Sequence, residues 1–118
     1  MATFLLTVSN TLTLDGRKFD NSGSATLRAN SLITQTRDVD ATYTSLALTG
    51  NRFVVLINKG EEAVYIRVAI TGTYYFFDLP AGAHMVLPEY FASTPERAGT
   101  VAARAATTAG RLFIIAGQ

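Results

Sequence analysis

Phe53-Val54-Val55-Leu56-Ile57 and Leu112-Phe113-Ile114-Ile115-Ala116 are apolar at every position. Successive side chains of a β-strand point to opposite faces, so a half-buried strand alternates apolar and polar residues. Neither stretch has a polar position to turn toward water. Each must be covered on both faces, by the chain's own fold or by another subunit.

Outward from these two stretches the chain reads as further strands separated by turns. Phe4, Leu6 and Val8 recur with period two, continued by Leu12 and Leu14, while Thr7, Ser9, Thr11 and Thr13 take the other face. Asp15-Gly16 is a strong turn dipeptide, and Asp20-Asn21-Ser22-Gly23-Ser24 reads as a polar loop. Residues 25–36 and 41–48 are Thr-rich and weakly alternating, with Arg37-Asp38-Val39-Asp40 as the corner between them. Thr49-Gly50-Asn51 turns into the apolar strand 52–58. Asn58-Lys59-Gly60-Glu61-Glu62 then forms a polar hairpin loop. Strand 63–71 sets Val64, Ile66, Val68 and Ile70 on one face and Tyr65 and Arg67 on the other. Thr71-Gly72-Thr73 leads into Tyr74-Tyr75-Phe76-Phe77, and Pro80-Ala81-Gly82 into a short strand, His84-Met85-Val86-Leu87, stopped by Pro88.

Residues 94–109 carry opposed signals. Thr94-Pro95-Glu96 resembles a helix start, whereas Gly99 and Gly110 bracket a strand-length run containing β-branched Thr100 and Val101. We read residues 99–106 as strand. The chain is then a single all-β domain, residues 1–118, an antiparallel β-sandwich or jelly roll of about eight strands. Residues 1–14 are an outer strand of that sandwich or an extended N-terminal arm that pairs with a neighbouring subunit. The expected core contains Val55, Ile57, Val64, Ile66, Val68, Phe76, Leu112 and Ile114.

The composition is 48% hydrophobic and 16% charged, well below the ~25% charged of ordinary domains. Such a shortage favours oligomerisation or docking onto a larger body. Ten Lys+Arg against nine Asp+Glu leave a net charge of +1, which gives no field to steer the chain to nucleic acid. There is no cysteine for a disulfide or a thiolate metal site. Residues 1–14 carry no cationic leader pattern, and no apolar run approaches the ~20 residues of a membrane span. A protein made in the cytoplasm, without membrane or nucleic-acid partners, is expected.

Chemical equipment is sparse. His84 is the one histidine; no nucleophile elbow accompanies it, and a jelly-roll metal centre needs several such ligands. It reads as closing the turn after Pro80-Ala81-Gly82. Asp38 and Asp40 read as a solvated corner, because no Ca²⁺-loop spacing surrounds them, and Glu61-Glu62 as a hairpin tip. In the aromatic cluster, Tyr74 and Phe76 share one strand face and Tyr75 and Phe77 the other. One pair fills the core and the other is free for a contact, with protein favoured over sugar. No catalytic, cofactor-binding or metal residues are therefore assigned, and the chain is expected not to be an enzyme. The candidate protein-interface residues are Phe4, Leu6 and Val8 of the N-terminal strand together with Tyr65, Arg67, Tyr75 and Phe77.

One family pattern fits the second half. The apolar strand Arg52-Phe53-Val54-Val55-Leu56-Ile57-Asn58 precedes a polar hairpin, a strand ending Tyr65-Ile66-Arg67-Val68 and an aromatic return strand. Leu79-Pro80-Ala81-Gly82, the Met85-Val86-Leu87-Pro88 strand, the small-residue strand Val101-Ala102-Ala103-Arg104-Ala105 and the closing Leu112–Ala116 strand follow. In this the chain resembles small all-β virion proteins of tailed bacteriophages. The resemblance implies a β-sandwich that decorates capsids, as a cement protein bound to the major capsid protein and stabilising the head shell. It implies a homo-oligomer, trimer favoured, made in the host cytoplasm and located in the virion. The alternatives are a low-copy neck, tail or fibre protein, or a carbohydrate-binding module that stacks a sugar on Tyr74 or Tyr75.

Overall fold

The computed structural model describes residues 2–46, 48, 51–70, 73–88 and 101–118. Their strands are β1 (Ala2–Leu14), β2 (Arg17–Ala29), β3 (Leu32–Asp40), β4 (Thr44–Ser45), β5 (Phe53–Asn58), β6 (Val64–Ile70), β7 (Thr73–Leu79), β8 (His84–Pro88), β9 (Val101–Ala105) and β10 (Ala109–Gly117). The described residues are all-β, with no helix, and their pairings are antiparallel. One four-stranded sheet has the order β3-β10-β5-β8 and another β4-β9-β6-β7, while β1 and β2 form a separate two-stranded ribbon.

The two doubly apolar stretches are β5 and β10, paired side by side in the middle of their sheet. Period-two geometry sends Val54 and Leu56 of β5, with Leu112, Ile114 and Ala116 of β10, into the main core. That core also takes Val64, Ile66 and Val68 of β6, Val101 and Ala103 of β9 and Leu79 of β7, so it is built from both four-stranded sheets. The alternate residues Phe53, Val55, Ile57 and Ile115 point the other way and are covered from within the chain. Phe4, Leu6, Leu27 and Ala29, at the base of the β1–β2 ribbon, pack over them. Gln118 holds that base in place: its carbonyl accepts the Asn30 and Ser31 N–H groups, and its own N–H donates to the Ser31 carbonyl at 2.9 Å.

Several expectations need correction. The polar segment Asp20–Ser24 is not a loop but the middle of β2, where Ser9 faces Ser22 and Asn10 faces Asn21. Ladder hydrogen bonds to β1 satisfy the backbone whatever the side chains, and a ribbon away from a core needs no apolar alternation. The turn at Asp15-Gly16 is present, both residues with positive φ. Arg37–Asp40 is likewise strand, paired with β10, with Val39 buried in the core. The N-terminal strand is not an outer strand of either four-stranded sheet, because its partner is β2 in a separate ribbon. Phe76 is exposed rather than core. The described residues form ten strands, more than the sequence reading counted, and Asn58–Glu62 is not a hairpin loop, because the β5 and β6 it joins lie in different sheets. The Thr49-Gly50 and Thr71-Gly72 turns and Thr94-Pro95-Glu96 lie outside the described residues; Val101–Ala105 of the ambiguous segment is strand.

Each strand of the ribbon has 13 residues, or about 43 Å at ~3.3 Å per residue. Its turn end, Asp15–Lys18, is exposed. The radius of gyration, 14.9 Å, exceeds the ~13.5 Å expected of a compact domain of this length, as a projecting ribbon requires.

Fully buried Asn58 fixes the loops at one end of the sheets. Its Nδ2 donates to the Leu79 carbonyl at 2.8 Å and the Glu62 carbonyl at 2.9 Å, and its Oδ1 accepts the Gly60 N–H at 2.9 Å. Asn58→Ala leaves these partners unsatisfied and is expected to cost about 3 kcal/mol in denaturant unfolding, with an unchanged slope. At Gly117 an added Cβ would overlap the Phe53 ring, so the bare backbone is what lets that ring lie across β10. Gly117→Ala is expected to destabilise by about 1–3 kcal/mol in the same assay, by forcing Phe53 off the base of the ribbon.

Candidate functional site

The outward row of the β4-β9-β6-β7 sheet carries charge and rings together. On β6, Tyr65 and Arg67 alternate with the buried Val64, Ile66 and Val68. Register places Arg104 of β9 opposite Tyr65 and Ala102 opposite Arg67. On the other side of β6, Phe76 faces Arg67 and Tyr74 faces Ala69. Tyr43, just before β4, completes the group.

The two guanidinium groups are held by aromatic faces. Arg67 lies 4.6 Å from the Tyr43 ring centroid and 4.7 Å from that of Tyr74. Arg104 lies 4.6 Å from Tyr65 and 5.4 Å from Tyr43. The result is a ladder running Tyr74, Arg67, Tyr43, Arg104, Tyr65. Phe76 extends it, 6.0 Å from Tyr43 and 6.4 Å from Tyr74, both at tilted angles favourable to ring quadrupoles. Arg104 also donates to the Ala105 carbonyl at 3.1 Å, whereas the buried Nε of Arg67 has no hydrogen-bond partner. Cation–π contacts of this kind contribute roughly 0.5–2 kcal/mol each, more as water is excluded.

β7 is the outer strand of this sheet, and its aromatics are exposed on both faces. Tyr74, Tyr75, Phe76 and Phe77 retain between 47% and 59% of their accessible surface. Tyr75 and Phe77 share the face of their partners Val68 and Ile66; Tyr74 and Phe76 take the ladder face. Neither aromatic pair of the strand is fully buried.

The candidate interface residues therefore fall in three places. Tyr65 and Arg67 belong to the ladder, and Tyr75 and Phe77 to the opposite face of the β7 edge. Phe4 and Leu6 lie on the other sheet, half-buried over Phe53 and Val55, beside an open apolar cleft of about 190 Å³ that also meets exposed Leu5 and Leu32. Val8 lies further along β1, and its side chain is outside the described residues. Sequence reading missed Tyr43, Arg104 and Phe76 as members of the ladder. The signal for Arg104 was legible: one arginine in a strand of small apolar residues has to face outward.

The remaining polar groups do structural work. Glu62 receives five hydrogen bonds from the β9–β10 turn: the N–H groups of Thr107, Thr108 and Ala109 and the hydroxyls of Thr107 and Thr108, at 2.7–3.3 Å. Donation from Thr107 above all, by hydroxyl and then N–H, and from Thr108 holds its carboxyl well below the usual 4.5, at about 2. Asp38 pairs with Arg111 at 3.4 Å between exposed side chains, and Asp40 accepts the Thr42 N–H at 2.9 Å. His84 opens β8 opposite Ile57. Among the described residues no three His, Cys, Asp or Glu side chains gather as a metal site, and no helix is long and apolar enough to cross a membrane.

The sequence matches no family model and no curated protein. Among solved structures, the chain is similar to hydroxypropylphosphonic acid epoxidase from S. wedmorenis, with a TM-score of 0.50 and 21% identity. The match covers 92% of this chain but 55% of the epoxidase, so the chain spans about half of that enzyme's length. It is also similar to a provisionally assigned ethanolamine utilization protein Q from Salmonella typhimurium, at 14% identity over 97% of both chains, with a TM-score of 0.47. The first likeness is one of fold. It corrects the expectation that the chain is not an enzyme, which rested on the lack of a recognisable catalytic motif: an enzyme is built on the same fold, so a missing motif does not exclude activity.

Because the Glu62 carboxyl is depressed in the folded state, its stabilisation is complete above pH 4.5 and is lost as pH falls from there toward 2. Wild type is therefore expected to out-stabilise Glu62→Gln most at neutral pH. Denaturant midpoints of the two proteins should converge as the pH is lowered through that window.

Proposed function

We propose that this chain is a structural protein that works by protein–protein contact, as a decoration protein on a tailed-bacteriophage capsid. In this reading it binds the major capsid protein as a homo-oligomer, is made in the host cytoplasm and resides in the virion. The strand orders β3-β10-β5-β8 and β4-β9-β6-β7 support a jelly-roll sandwich, two interleaved four-stranded sheets of the kind many shell proteins use.

The observation that carries the proposal is the β1–β2 ribbon. A two-stranded ribbon on its own is marginal in water, yet this one extends for 13 residues per strand from a base clamped to the domain. A ribbon of that length is accounted for by a surface it lies on, and a neighbouring capsid subunit supplies one. Tyr65 and Arg67 on the ladder, with Tyr75 and Phe77 at the edge, add the ring-rich surface that interface centres favour.

A second reading rests on the ladder alone. Half-exposed Tyr74 and Phe76 beside Arg67 form a platform on which a sugar ring can stack, and a glycan array tests it directly.

Two measurements decide the main reading. Quantitative mass spectrometry of purified virions should find a fixed, high ratio of this chain to the major capsid protein; a handful of copies would place it in the neck or tail, and absence would end the virion reading. A chain with Asn-Gly joining Thr7 to Ser24, which face each other in the ribbon, keeps the base and loses the projecting part. It is expected to fold normally and bind capsids at least tenfold more weakly, about 1.4 kcal/mol.

A further inference from the structure

We propose that β7 is the surface through which two copies of this chain associate, antiparallel about a twofold axis, so that their β4-β9-β6-β7 sheets run on as one. Among the described residues β7 pairs with β6 alone, leaving the backbone donors and acceptors along its other edge open. Natural proteins guard such edges with lysine, proline, bulges or very short strands. Tyr74-Tyr75-Phe76-Phe77 has none of these, Asp78 near the end being the strand's one charge, and the strand is 7 residues long. An edge with large rings exposed on both faces and a single charge near one end is a surface built to be covered.

The strand is complementary to itself in one register. For the core-facing side to continue across the axis, residues of like face must meet, so an odd residue pairs with an odd one. Centring the axis on Phe76 uses the whole of Thr73–Leu79: Phe76 meets Phe76, Tyr75 meets Phe77 and Tyr74 meets Asp78. The strand's one charge then faces a tyrosine hydroxyl instead of its own copy. Centring on Tyr75 instead leaves Asp78 beyond the pairing. A fully covered ring buries ~150–250 Å², so these half-exposed rings have at most about 100 Å² each to give, an upper limit of about 800 Å² over eight rings. With the backbone edges added, the total approaches the ~1,200 Å² at which specific interfaces begin. Such an interface closes at two copies, in place of the trimer the sequence reading favoured, and it does not depend on the capsid assignment.

Sedimentation equilibrium of the full chain at tens of micromolar should give twice the 12.7 kDa chain mass. Phe76→Lys sets two like charges together at the axis while altering an exposed side chain, so the circular dichroism spectrum should persist and the dimer dissociate at least a hundredfold more readily. The chain has no cysteine, so Phe76→Cys alone can cross-link only to another copy. It should do so on oxidation, since paired Cα atoms lie ~4.5–5.5 Å apart across an antiparallel ladder, whereas exposed Val86→Cys on β8 should not. The ribbon-shortened chain should dimerise as wild type does, whether or not it binds capsids. A wild-type monomer, a trimer, or a dimer that Phe76→Lys leaves intact would overturn the proposal.

Discussion

β5 and β10 are buried from both sides, and the layout of the molecule follows from that constraint. Their inner residues, Val54, Leu56, Leu112 and Ile114, require a second sheet to face them. Their outer residues, Phe53, Val55 and Ile115, require a further layer, which the base of the β1–β2 ribbon provides. Each large aliphatic or aromatic side chain so covered contributes about 1.5–3 kcal/mol relative to exposure. The ribbon base is therefore part of the folded domain's stability, and the fit depends on small details: a glycine at position 117 so that Phe53 can lie flat, and Gln118 to tie down Asn30 and Ser31.

The second sheet solves its outer face differently. Among the described residues no layer covers it, and two arginines lie between tyrosine rings instead. A guanidinium suits this, being planar and weakly hydrated, where a lysine ammonium would keep its water. The ladder ties Tyr43 to β6, β9 and β7, and among the described residues no carboxylate pairs with either cation. It stops short of shielding β7, whose rings remain half-open on both faces.

The likeness to an epoxidase places this architecture among those that support catalysis, and architecture alone assigns no activity. What separates one user of a fold from another is its surface. Here the distinguishing surfaces are a long ribbon anchored at its base and an aromatic sheet edge.

Much of the strand layout was legible in the sequence because period two and turn chemistry are local. The strands β5 to β8, the outward position of Tyr65 and Arg67 and the Asp15-Gly16 turn all came from neighbours in the chain, whereas the loop Asn58–Glu62, read as a hairpin, crosses between the two sheets. The sequence also required two covers for Phe53–Ile57 and Leu112–Ala116. It left open who would supply them, because coverage is a relation between segments far apart in the chain. Tertiary structure decided that the polar stretch Asp20–Ser24 is strand, since its partner is β1 and the ladder, not hydropathy, holds it. It likewise decided that Phe76 faces water and that Tyr43 and Arg104 join Arg67, because strand order alone determines which side chains become neighbours across a sheet.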